Sequence, residues 1–193
     1  MLTSARLAQV AYGLFTIALS WLFMQAVHEA GHVLGAWMSG GKVVQVVLHP
    51  LTISRTDVSP NPVPLVEIWA GPIFGSAFPV SIWMLCHFYS KPLSSWFRYF
   101  AGFCLVANGA YLGYAVIEPI GDAQDLLMRG ASLWSLGLFG LITIPGGLLL
   151  WHGLAPEFGI GPGAQTISWK AATTIGGLLL IVILAEIAWS AAE

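Results

Sequence analysis

Ala26-Val27-His28-Glu29-Ala30-Gly31-His32-Val33-Leu34 is the stretch on which the reading of this chain turns. His28, Glu29 and His32 are the only acidic, basic or imidazole side chains between Arg6 and Lys42. The segment around them is mostly apolar and exceeds the roughly 20 residues that cross a bilayer. An ionisable group at that depth costs at least a few kcal/mol, so it marks a functional site by default. On a helix, positions i and i+4 lie on one face, which sets the two imidazoles side by side. Two histidines so spaced can hold Zn²⁺, with the intervening Glu29 as general base toward water.

The rest of the composition agrees with a membrane setting. The chain has 193 residues, of which 57% are hydrophobic and 8% charged, against about a quarter charged in soluble domains. Mean hydropathy is +0.79. The net charge of −2 gives no basis for binding nucleic acid. Lys42, Arg55 and Arg129 fall on one side of a five-helix arrangement and Arg6, Lys91, Arg98 and Lys170 on the other. That division leaves membrane orientation open. Cys86 and Cys104 lack the spacing of a zinc or redox pair and read as buried, inert thiols.

Five apolar segments are long enough to span, at about 8–38, 64–89, 97–117, 132–151 and 171–189. The first is longer than a bilayer needs. The second reads as broken by Gly71-Pro72 and Pro79. Between these two, Gly40-Gly41 ends the helix and the β-branched run from Lys42 to Leu48 predicts a strand, continued through Leu51-Thr52-Ile53-Ser54. Such a strand needs a partner edge or a protein-lined cavity. The expected fold is therefore an all-α polytopic membrane protein. It has about five transmembrane helices and a short membrane-associated β segment after the first. One domain covers 1–193, with a core at about 8–130 and accessory helices at about 131–193.

A catalytic zinc site uses three protein ligands and leaves one position open. The third candidate comes from Glu118-Pro119-Ile120-Gly121-Asp122-Ala123-Gln124-Asp125, where Pro119 and Gly121 interrupt regular helix. A broken helix end can turn a carboxylate back into a bundle. Asp122 and Asp125 are both placed to do so, and Glu118 is the next choice.

His28-Glu29-Ala30-Gly31-His32 with Ala36 and Gly40 resembles the H-E-x-G-H-x-x-x-A-x-x-x-G signature of the site-2 protease family, the M50 intramembrane zinc metalloproteases. Ala70-Gly71-Pro72-Ile73-Phe74-Gly75 is similar to that family's second-helix G-P motif. Asn108 and Pro119-Ile120-Gly121-Asp122 stand where the family has an Asn, a Pro and a ligand Asp. The likeness covers about the first 130 residues. Asn108 and Asp122 are further apart than in the family, Gly121 precedes the Asp instead of following it, and Gly75 stands where many members have Asn.

The resemblance implies a compact, M50B-like bacterial member in the cytoplasmic membrane. Zn²⁺ would be held by His28, His32 and Asp122, with Asp125 the alternative to Asp122 and Glu29 the base. Asn108 would orient substrate or stabilise an oxyanion. Gly71 and Pro72 would let the second helix bend as a gate. The expected partners are a transmembrane protein substrate and the lipid bilayer. The competing expectation is a catalytically silent, metal-binding membrane protein that grips transmembrane helices without cutting them. Glu67 reads as interfacial, and His49, His87 and His152 as surface or interface histidines.

Overall fold

The computed structural model describes residues 3–89 and 91–192. Five of its helices are long and apolar enough to cross a membrane. In chain order the elements are α1 (Ser4–Met38), strands β1 (Val43–Val47) and β2 (Arg55–Val58), α2 (Pro64–His87) and α3 (Lys91–Gly113). A 3₁₀ turn at Tyr114–Val116 leads to the short α4 (Gly121–Met128), then α5 (Leu133–Trp151) and α6 (Trp169–Ala192). The fold is all-α apart from one β hairpin.

The 35 residues of α1 make a rod about 52 Å long at 1.5 Å per residue, well beyond the ~30 Å hydrocarbon core. Its two parts belong to different compact units. One unit runs up to Phe23 and includes Leu48–Ile53 and the chain from His152 onward; the other comprises Met24–Val47 and Ser54–Trp151. In the first unit, Tyr12 lies against Phe158, and Gln9 donates its side-chain N–H to the Gly159 carbonyl. The second unit holds the residues of the candidate site.

In that second unit α2 remains one continuous helix through Pro72 and Pro79, in contrast to the interruption the sequence suggests. Each proline removes one helical hydrogen bond, which packed membrane helices tolerate because neighbours satisfy the freed groups. Pro72 and Pro79 are both fully buried. α5 lies along α3 with their backbones in near contact. A Cβ on Gly147 would come within 2.6 Å of the Gly102 carbonyl oxygen, and one on Gly140 within 2.8 Å of the Gly109 carbonyl oxygen. Without a hydrophobic drive between helices in lipid, such close approach supplies the packing energy.

The β segment is a hairpin and not one extended strand. Thr52 N–H donates to the His49 carbonyl at 3.1 Å across a turn with Pro50 at its second position. Proline's fixed φ favours that position, so the chain reverses where continuation was expected. β2 then pairs antiparallel with β1, Val46 opposite Thr56 and Val47 opposite Arg55, with an irregularity between Val43 and Gln45.

α4 is held by its apolar face. Ala123 and Leu126 are fully buried in a cluster with Ile68, Leu112, Ala115 and Leu136, drawn from α2, α3, the 3₁₀ turn and α5. Close packing of Leu126 against four elements holds the helix in place. That anchorage fixes the first turn of α4, where Asp122 sits.

Candidate metal centre

His28 and His32 project from α1 one turn apart, with Nε2 atoms 3.0 Å from each other. α2 provides the wall behind them. A Cβ on Gly71 would overlap the His32 ring, and one on Gly31 would overlap the Ala70 carbonyl. Gly71, expected as part of a gate, is thus the surface on which His32 rests.

Asp122 arrives from the break after α3. The chain leaves the 3₁₀ turn, runs extended at Ile120, and turns into α4 at Gly121 with φ +52°. A side chain is disfavoured in that conformation, and here a Cβ would also overlap the Tyr111 hydroxyl. The Asp122 backbone N–H donates to that hydroxyl at 2.8 Å, tying the loop to α3. Asp122 Oδ2 then lies 2.8 Å from His28 Nε2 and 3.2 Å from His32 Nε2. Asp125 is exposed, and so is Glu118, whose carboxylate faces the Tyr114 hydroxyl at 3.5 Å. Asp122 is therefore the carboxylate brought to the histidines.

The outer nitrogens of both rings are committed. Asn108 Nδ2 donates to the Cys104 carbonyl at 2.9 Å, so its Oδ1 faces His28 Nδ1 at 2.7 Å and must accept a proton from it. His32 Nδ1 faces two acceptors, Glu67 Oε1 at 3.0 Å and the Glu67 carbonyl at 3.1 Å. With both protons fixed on Nδ1, the neutral rings turn bare Nε2 lone pairs toward each other and toward the Asp122 carboxylate. Three electron-rich atoms within 3.2 Å of one another repel unless a cation sits among them. Protons on the imidazoles are one answer. In that state burial pushes the Asp122 carboxyl up, but the hydrogen bonds from His28 and His32 outweigh it and hold it well below the usual carboxylate range.

A metal ion is the other answer, and the donors suit it. A tetrahedral ion with ligands at 2.0–2.1 Å separates its donors by about 3.3 Å, close to the 2.8–3.2 Å found here. Ligating histidines almost always donate their other N–H to a carboxylate or carbonyl, as His28 and His32 do. Among the described residues, His28, His32 and Asp122 form the one group of three or more such side chains that could hold a metal ion. The other three histidines and both cysteines stand outside it.

Glu29 is 3% exposed and takes no part in that triangle. Its Oε2 accepts a 2.7 Å hydrogen bond from Thr56 Oγ1 on β2. Glu67, read from the sequence as interfacial, is instead 5% exposed and supports His32, with its other oxygen accepting from Asn61 Nδ2 at 3.1 Å. Among the described residues no lysine or arginine pairs with Glu29, Glu67 or Asp122. Thr56 and Tyr111 carry no motif signal. Glu67 did carry one, since it is the only charged side chain in the long apolar run of α2. No family model, curated protein or solved structure matches the chain.

Proposed function

We propose that the protein is an intramembrane zinc metalloendopeptidase of the site-2 protease kind, hydrolysing peptide bonds in or near transmembrane segments of membrane-protein substrates. The observation that carries this reading is the pairing of a three-donor group with a buried carboxylate that donates nothing to it. Three protein ligands leave a tetrahedral ion one open position, the pattern of catalytic and not structural zinc. His28, His32 and Asp122 would hold the ion. Bound zinc would supply Lewis acidity, drawing electron density from water and from the scissile carbonyl.

The chain's own residues account for the proton traffic. Glu29 is the base: it takes a proton from the water whose oxygen bonds to the carbonyl carbon. It then hands that proton to the amide nitrogen as the C–N bond breaks, leaving a carboxylate and an amine. Glu67 and Asn108 hold the histidine rings in the tautomer that presents Nε2. Asn108 acts here on the ring of His28 through its carbonyl oxygen, and the role expected of it toward a substrate or an oxyanion would fall to its Nδ2 group. The helix of a membrane substrate hides its peptide carbonyls and must unwind before attack. The hairpin beside Glu29 offers an outer strand edge to which an extended segment can pair. The resemblance of the chain to compact bacterial members of that family extends the proposal to a bacterial cytoplasmic membrane.

The test is zinc content and cleavage of a single-span hydrophobic peptide in detergent micelles, for the wild type and for Glu29→Gln. The wild type binds one zinc and cleaves, and chelation stops it. Glu29→Gln keeps its zinc and loses roughly 10²–10⁴-fold in rate, the share general acid–base catalysis contributes. A wild type that binds zinc without cutting any such peptide would leave the metal-binding, non-hydrolytic reading in its place.

A further inference from the structure

Thr56 lies on β2, outside every motif that marks the site, yet its hydroxyl is the hydrogen-bond partner of the Glu29 carboxylate, Oγ1 to Oε2 at 2.7 Å. We propose that Thr56 is the positioning residue of the Glu29 base and ties its orientation to the hairpin. The inference rests on the hydrolase reading above.

The argument begins with the pleat of β2. Successive side chains alternate faces, so Thr56 and Val58 point one way and Arg55 and Asp57 the other. Arg55 Nε and Asp57 Oδ2 pair with each other at 3.2 Å on the exposed face. This leaves Thr56 facing inward, with register set by Val46 opposite it on β1. A slip of one residue would turn Thr56 outward and bring a charged neighbour to Glu29.

The hydrogen bond also separates the two carboxylate oxygens. Oε2 is engaged, and Oε1 has no protein donor among the described residues. Oε1 is thus the oxygen left to take a proton. A glutamate side chain has three rotatable bonds, and a base displaced by 1 Å loses much of its effect. One short bond from a strand removes that freedom. Because the donor belongs to the hairpin, a substrate strand docking there would act on the element that aims the base.

The test uses full-length protein with Thr56→Val and Thr56→Ser. Valine keeps the β-branched shape and strand preference and removes the donor; serine keeps the donor. Thr56→Val is expected to keep its zinc stoichiometry and KM while kcat falls roughly 10-fold or more, within the range that supporting partners of a metal site contribute. Thr56→Ser is expected to recover most of that loss, which a role in strand packing alone would not allow. A second readout is independent of turnover. The infrared carboxylate band assigned to Glu29 by its absence in Glu29→Gln shifts in Thr56→Val and returns in Thr56→Ser. If the wild type cleaves and Thr56→Val cleaves equally well with an unmoved band, the inference falls alone. If the wild type does not cleave, the hydrolase reading falls and takes the inference with it.

Discussion

Glu29 on α1 and Glu186 on α6 are both buried glutamates within long apolar helices, 3% and 7% exposed respectively. Their surroundings differ. Glu29 lies next to His28 in a cluster fed by α1, α2, α3, α4 and the hairpin, and its Oε2 is hydrogen-bonded by Thr56. Glu186 has one carboxylate oxygen buried with no hydrogen-bond partner. Burial in an apolar helix is common to both, so it does not by itself distinguish a working group. What distinguishes Glu29 is convergence around it: a donor on its own carboxylate and, beside it, three side chains from two helices that each have a partner behind them. His28 leans on Asn108, Asn108 on Cys104, His32 on Glu67, Glu67 on Asn61, and Asp122 on Tyr111.

The sharpest way to break this contrast is to remove a member of the donor triangle. His28→Ala, His32→Ala and Asp122→Ala should each lose the metal on purification, a drop in affinity well beyond the roughly 100-fold upper range of a supporting residue. Asp125→Ala, altering an exposed carboxylate on the same short helix, should keep full occupancy. Elemental analysis of the purified variants decides it. Loss of metal in Asp125→Ala with retention in Asp122→Ala would reverse the assignment of the third donor.

A smaller effect is expected one layer out. Glu67→Gln keeps the shape of the side chain but weakens its hold on the His32 Nδ1 proton and lowers the negative charge behind the ring. Zinc affinity, measured by competition with a chelator of known strength, should fall about 10–100-fold. Glu67→Asp, which keeps the charge and shortens the reach, should recover part of it. An affinity unchanged in Glu67→Gln would mean that the backbone carbonyl of Glu67, 3.1 Å from the same nitrogen, is enough to fix the ring.

The parts legible in the sequence are those whose signal is local. The five spanning helices follow from the length of apolar runs, and the pairing of His28 with His32 follows from helical spacing. The break that frees Asp122 is visible as Pro119 and Gly121, although choosing Asp122 over Asp125 required the family resemblance. The supporting layer was not legible, because it depends on which helix faces meet. Nothing local to Thr56 or Tyr111 points to Glu29 or Asp122. Glu67 is a different kind of miss: the rule that flagged His28 and Glu29, an ionisable group in an apolar run, applies to it as well. The hairpin was half legible. Its first strand shows as a β-branched run, but the β-branched pattern resumes after Pro50 and hides the reversal there, and the second strand, Arg55–Val58, lies beyond the expected continuation.

The smallest effect belongs to Glu186, and it tests the comparison from the other side. Glu186 has a buried oxygen with no hydrogen-bond partner and, among the described residues, a charge interaction with His49 only, so an amide of the same shape loses that one interaction and avoids the cost of charge in an apolar setting. Glu186→Gln should therefore leave zinc content and cleavage rate as in the wild type. Elemental analysis of the purified variant and its rate on the same hydrophobic peptide measure both. A loss of metal or a tenfold loss of rate in this variant would show that a carboxylate can serve the site without a hydrogen-bond partner. Convergence of partners would then no longer separate Glu29 from Glu186, and the last helix would have to be counted among the working parts.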